Sequence, residues 1–140
     1  IMKKLNSIAE SSNEKILVKV HPQMKHCKND LMQHFKYLKF SNDRIENLLK
    51  DALALITLSS GTIEDALNSR VPVILFDLKN RYKQMKCSET IENNKAVYYI
   101  NDENKIEIVL NKIKNSTYAD FENYIYEENF EKKFLPLIEK

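Results

Sequence analysis

Three hydroxyl-bearing residues bracket the only glycine of the 140-residue chain, in the stretch Ser59-Ser60-Gly61-Thr62. An average chain of this length carries about ten glycines, so a solitary one inside a hydroxyl cluster implies a local reason. Glycine lets the backbone approach a ligand closely or turn through φ > 0. The cluster follows the apolar run Ala54-Leu55-Ile56-Thr57-Leu58 and precedes Ile63, Ala66 and Leu67 at helical spacing. Such a turn opens a helix whose unpaired N–H groups and dipole favour an anion, with the hydroxyls of Ser59, Ser60 and Thr62 as further donors. The same residues also suit a plain helix cap, with Ser59 or Ser60 accepting a first-turn N–H and Glu64 or Asp65 favourable beside the dipole. The two roles are compatible.

A second group is Lys19-Val20-His21-Pro22. Proline cannot continue a strand ladder, so His21 falls at a strand end, placed to offer an imidazole N–H to a phosphate oxygen. Lys19 lies two residues back on the same side. A third strand end carries Asp77 with Lys79 and Arg81 behind it. A carboxylate at the start of the helix after Thr62 is suited to the two hydroxyls of a ribose, and spacing does not choose between Glu64 and Asp65. Other chemistries fit poorly. His26, Cys27, His34 and Cys87 lack paired ligand spacing for zinc, so no metal is expected. Ser59-Ser60-Gly61 lacks the first glycine of a hydrolase nucleophile elbow, and one glycine excludes the Walker A and dinucleotide fingerprints. No cofactor is expected.

These residues need a scaffold that brings strand ends together. A helix over 2–12, with Leu5, Ile8 and Ala9 inward, leads to a buried strand at Ile16-Leu17-Val18 and Val20 that ends at His21. Asn29 and Asp30 can cap a helix carrying Leu31, Met32 and Phe35, ahead of a short strand at Tyr37-Leu38-Lys39-Phe40. Ser41-Asn42-Asp43 caps the next helix, with Ile45, Leu48, Leu49 and Ala52 on one face, leading to a strand at 54–58 buried on both sides. A fully apolar strand follows at 71–76, then one or two helical turns within 89–95 and a fifth strand at 96–100. Asp102 caps a helix with Ile106, Val109, Leu110 and Ile113 as its stripe, and a final helix carries Phe121, Tyr124, Ile125, Phe130, Phe134, Leu137 and Ile138. Strands apolar throughout, alternating with helices, predict an α/β fold: a Rossmann-like parallel sheet of about five strands with helices on both faces. In such a sheet ligands bind beyond the carboxyl ends of the strands.

The length suits one domain, and no apolar run approaches the roughly 20 residues needed to span a bilayer. Two cysteines sixty residues apart, without a secretory signature, favour reduced thiols and a cytoplasmic setting. The formal charge of +2 and the lack of basic stretches interleaved with aromatics disfavour nucleic acid. Residues 1–50 nonetheless hold ten Lys/Arg against five Asp/Glu, which suits a phosphate-bearing ligand.

Taken together, Lys19-Val20-His21-Pro22, the run from Leu48 through Ser59-Ser60-Gly61-Thr62-Ile63-Glu64-Asp65-Ala66-Leu67, and Val71-Pro72-Val73-Ile74 resemble the carboxyl-terminal domain of GT-B glycosyltransferases. The nearest types are bacterial surface-polysaccharide enzymes: capsule polysaccharide transferases, CDP-glycerol glycerophosphotransferases and bacterial sialyltransferases. The resemblance spans roughly residues 15–100. It departs at Arg70 and Val71, where many members have glycine. It implies that His21, Ser59, Ser60 and Thr62 contact donor phosphates and that Asp65, with Glu64 as neighbour and fallback, contacts the ribose. It also implies that Lys19, Pro22 and Gly61 complete the substrate-binding set. By the same resemblance, residues 1–140 form the nucleotide-binding carboxyl-terminal half of a two-domain protein. The missing amino-terminal domain would then supply the acceptor site and the catalytic base, so this half is not expected to act alone, and no catalytic residue beyond His21 is a candidate. The helix expected over 119–140 packs on this domain or on the missing one. The expected partner is a nucleotide-sugar or CDP/CMP-type donor, and the full-length protein has room for peripheral membrane association. Two alternatives stand beside glycosyl transfer: half of a sugar-nucleotide epimerase, or a non-catalytic interaction domain that keeps the fold.

Overall fold

The computed structural model describes residues 1–58, 60–79 and 92–124. Ser59, Arg81, Cys87, the first part of the helix expected over 89–95 and the aromatic stripe beyond Tyr124 lie outside the described residues. Among the described residues run five strands: β1 (Leu17–Lys19), β2 (Lys39–Ser41), β3 (Leu55–Thr57), β4 (Val73–Phe76) and β5 (Val97–Ile100). Between and around them run α1 (Met2–Ser12), α2 (Lys28–His34), α3 (Ile45–Leu49), α4 (Thr62–Asn68) and α5 (Lys105–Lys114). Two short 3-10 helices, Pro22–Cys27 and Phe121–Asn123, complete the described elements. The α/β class and the parallel pairing follow the sequence pattern. The single sheet does not: hydrogen bonds divide the strands into a pair, β1-β2, and a trio in the order β3-β4-β5. Both β1 and β3 are only three residues long, and β1 carries Lys19 facing out; short, charged edges limit strand pairing.

At the centre lies β4. All four of its residues are buried, as an uninterrupted Val-Ile-Leu-Phe run requires. Leu55 pairs with Val73 and Thr57 with Leu75 on one side, and Val73 pairs with Val97 and Phe76 with Ile100 on the other. Alternation then sends Ile74 and Phe76 to one core cluster and Val73 and Leu75 to another. The first cluster contains Leu5, Ile8 and Ala9 of α1, Ile106, Val109 and Ile113 of α5, and Tyr98 and Ile100, with Val18, Phe40 and Ile56 packed against it. Both sheets therefore share one core. The second cluster gathers Leu49 of α3 and Ile63, Ala66 and Leu67 of α4 under Val71, Val97 and Phe121. An ion pair of Lys4 with Glu107 also joins α1 to α5, and Lys114 of α5 pairs with Glu14 just beyond the end of α1.

Several local expectations are corrected. The strand expected to be buried at 16–20 is covered on one face only: Leu17 is 36% exposed and Lys19 is exposed, while Val18 reaches the core. The strand at 54–58 is half-buried because β3 is hydrogen-bonded to β4 alone. Asn29 and Asp30 lie inside α2, which continues directly from the 3-10 helix and has Cys27 at its cap. Ser41 accepts the Asp43 N–H (3.0 Å) and donates to Asp43 Oδ2 (2.9 Å), so it shapes a turn and leaves Arg44 at the start of α3. Asp102 accepts the Asn104 N–H (2.9 Å) just ahead of α5. Short polar side chains compete for nearby backbone groups, and here that competition moves each cap by one to three residues. The 92–95 stretch is a turn, with Asn94 at φ 59. Tyr98 holds it from below: its buried hydroxyl donates to the Glu92 carbonyl (2.9 Å) and accepts the Lys95 N–H (3.3 Å).

Replacing Ile74 with Ala should cost about 2–5 kcal/mol in urea unfolding, since the side chain is fully buried between two paired strands. Burial holds the Tyr98 phenol above the ordinary value of 10. A group whose folded value is raised contributes stability that is whole below its unfolded value and lost as pH rises through the folded one. Stability should therefore fall above pH 10. Tyr98→Phe should flatten that fall while costing about 1–3 kcal/mol at neutral pH through the two backbone groups left unpaired.

Candidate anion site at the strand ends

In the three-stranded sheet all strands run the same way, so the Ser60–Thr62 turn, the Asp77–Lys79 turn and Asn101–Asp102 share one edge. In the two-stranded sheet the carboxyl ends lead to His21 and to the Ser41–Asp43 turn. The structure thus gathers the sequence candidates into two groups. Lys19, His21 and Pro22 form one, and Ser60, Gly61, Thr62, Glu64 and Asp65 form the other. Among the described residues no hydrogen bond or ion pair joins the two.

The ladder of β1 runs one residue past the strand, through Val20 N–H to the Ser41 carbonyl (3.1 Å), and then Pro22 stops it. Val20 turns into the core while Lys19 and His21, on either side of it, face solvent. That alternation is what extended backbone imposes. His21 sits at the cap of the 3-10 helix with Pro22 at its first position, and its Nδ1 accepts the Gln23 N–H (3.3 Å). An Nδ1 that accepts leaves the ring proton of the neutral imidazole on Nε2. The local turn thereby selects the tautomer whose exposed nitrogen is a donor.

Ser60 shows the same arrangement. Its Oγ accepts the Thr62 N–H (3.3 Å) and the Thr62 hydroxyl (2.9 Å), and its carbonyl accepts the Ile63 N–H (3.1 Å). Those two bonds use the acceptor capacity of Oγ, which leaves its own O–H as a donor. The N-cap of α4 is Gly61 and not the expected serine, and Ser60 just ahead of it accepts the N–H of the first helical residue.

Gly61 departs from one expectation. Its φ is −57 and its ψ −19, an ordinary right-handed helical conformation, so no turn through positive φ requires it. A Cβ built there meets nothing within 4 Å. Neither the backbone nor the protein's own packing demands a glycine, which leaves open space beside the turn. Glu64 is exposed and Asp65 half-buried, and neither carboxylate has a hydrogen-bond or ion-pair partner among the described residues.

Asp77 is the feature that sequence reasoning undervalued. It is the only charged side chain buried among the described residues, 2% exposed at the end of β4. Its Oδ1 accepts the Lys79 N–H (3.1 Å) and its Oδ2 accepts the Tyr99 hydroxyl (3.3 Å). The carboxylate thus shapes the turn that follows the central strand and ties it to β5. The signal was an aspartate placed directly after four apolar residues, where a buried charge must find partners. His26, Cys27 and His34 form no metal constellation, and no group of three His, Cys, Asp or Glu that could hold an ion occurs among the described residues. No described helix is long and apolar enough to cross a membrane. No protein-family model, curated protein or solved structure matches the chain.

Gly61→Ala is compatible with the backbone and the surrounding space, so it should leave stability unchanged or raise it by about 0.4–1 kcal/mol. Thermal unfolding of the variant measures this directly, and a loss of more than about 1 kcal/mol would contradict the open geometry.

Proposed function

We propose that the domain binds the nucleotide-phosphate part of an activated sugar or polyol phosphate donor, for glycosyl transfer in bacterial cell-surface polysaccharide synthesis. The observation that carries this reading is the pair of outward donors at strand ends. His21 and Ser60 each use their acceptor atoms on their own turns, which leaves Nε2–H and Oγ–H for a ligand rich in acceptors. Phosphate oxygens are such acceptors. Lys19, exposed beside His21, adds charge, and the open space at Gly61 admits a phosphate close to the backbone. Asp65 and Glu64, carboxylates without a partner among the described residues, suit the ribose hydroxyls.

In this reading the two sheets are parts of one Rossmann-like arrangement, ordered β2-β1-β3-β4-β5, with the ligand crevice where the order reverses between β1 and β3. The shared cluster of Val18, Phe40 and Ile56 supports it. The negative charge that grows on a departing nucleotide would be met by donors already oriented by their turns, a preorganised electrostatic contribution. Proton removal from the acceptor would fall to a second domain.

Titration of CMP, CDP and UDP followed by amide chemical shifts tests the assignment. Shifts are expected at residues 19–23 and 60–65, and shifts confined elsewhere would overturn it. His21→Ala should weaken binding by about 1–3 kcal/mol if the Nε2–H bond is charge-assisted. Gly61→Ala should weaken it while leaving the fold intact. Turnover of a sugar nucleotide to its epimer without an acceptor would favour the epimerase alternative, and no nucleotide binding at all would favour the interaction domain.

A further inference from the structure

At the opposite end of the three-stranded sheet, where β5 begins and α5 ends, lies a cleft of about 510 Å³. Four asparagines line it, Asn93 and Asn94 from the turn before β5 and Asn111 and Asn115 from the end of α5, together with Thr117. None of the four side-chain amides has a hydrogen-bond partner among the described residues. Their backbones, by contrast, are firmly held. The Asn94 N–H donates to Ser116 Oγ (3.4 Å), which itself donates to the Lys112 carbonyl (2.7 Å), and the Asn94 carbonyl accepts the Asp120 N–H (3.1 Å). Asp120 Oδ1 accepts the Ala96 N–H (2.7 Å), and the Tyr98 hydroxyl fixes the same turn from the core side. The frame is pinned while the amides, three of them on exposed residues, stay available to a ligand that both donates and accepts.

We propose that this cleft binds an oligosaccharide. Each asparagine offers an acceptor and two donors, which matches the paired hydroxyls of a sugar ring. Ile108, 49% exposed on the cleft wall, supplies the apolar contact that a ring's C–H face needs. The cleft shares Thr117 with a smaller hollow of about 130 Å³ edged by Tyr118, whose ring is 68% exposed and stands as a platform for the next sugar. Among the described residues no carboxylate lines either depression. Lys112 has no ion-pair partner among the described residues, so a sugar acid is accommodated as well as a neutral one. This site is independent of the strand-end anion site and stands or falls without it.

The test is titration of the whole chain with maltohexaose and with a hexameric oligogalacturonate, read on the side-chain amide signals of the four asparagines. At least one should produce saturable shifts of those signals, and the double variant Asn111→Leu/Asn115→Leu should weaken binding about tenfold or more, the loss of one to two hydrogen bonds. Lys112→Gln should weaken only the uronate arm. Absence of saturable shifts with either probe at about 10 mM, where even a millimolar site is filled, overturns the proposal. Shifts confined to residues 19–23 and 60–65 overturn it too. CMP titration of the double variant separates the two sites: unchanged nucleotide binding is expected whatever the sugars do.

Discussion

A strand with apolar side chains on both faces has to be covered on both, and Val73-Ile74-Leu75-Phe76 leaves none of its four residues accessible. The rest of the molecule answers that demand. Partners β3 and β5 satisfy its backbone, α1 and α5 cover Ile74 and Phe76, and α3 and α4 cover Val73 and Leu75. Because burial alternates along the strand, a slip of one residue would exchange the two clusters entirely. The register of β4 thus decides where α4 begins relative to the end of β3, and with it the position of the Ser60–Thr62 turn. Asp77 closes the same strand with a carboxylate bonded to Lys79 and Tyr99, so the end of the central strand is shaped by polar contacts as specific as the apolar ones beneath it.

The chemistry at the strand ends is a matter of which atoms remain after local bonding. A serine or histidine in a loop is ordinarily ambivalent, able to donate or accept. Here the Gln23 and Thr62 backbone groups take up the acceptor side of His21 and Ser60, and the ambivalence disappears. Two small turns therefore fix which atoms of these side chains stay available beyond the protein's own bonds.

The sequence made the α/β class, the parallel pairing and the helices α1 and α5 legible, because long apolar runs and a 3.6-residue stripe leave little ambiguity. Strand limits at β4 and β5 came close for the same reason. The caps were less legible: Ser41, Asp43 and Asp102 are cap-forming types that spend their oxygens on turns of their own. Burial of β1 and β3 was overestimated because an apolar run does not reveal whether a neighbour pairs with it. For the candidate site, sequence placed Lys19 on the first strand, His21 and the Ser60–Thr62 turn at strand ends and Asp65 in the first turn of the next helix, while the positive φ offered as one reason for Gly61 is not adopted. The Asn-lined cleft left no signal at all, since its four asparagines come from two segments joined only by the tertiary fold.

The pairing of α1 with α5 also bears on how the chain acquires its structure. Leu5 and Ile8 from the first helix share a cluster with Ile106 and Val109, and Glu14 meets Lys114 across a hundred residues of chain. Contacts of such separation are slow to form, and during ribosomal synthesis α5 emerges long after α1. Until it does, the apolar stripe of α1 and the inner side of the β1–β2 pair lack their cover. The growing chain therefore leaves that surface accessible to chaperones until α5 is made, and α5 acts as the latch on this core.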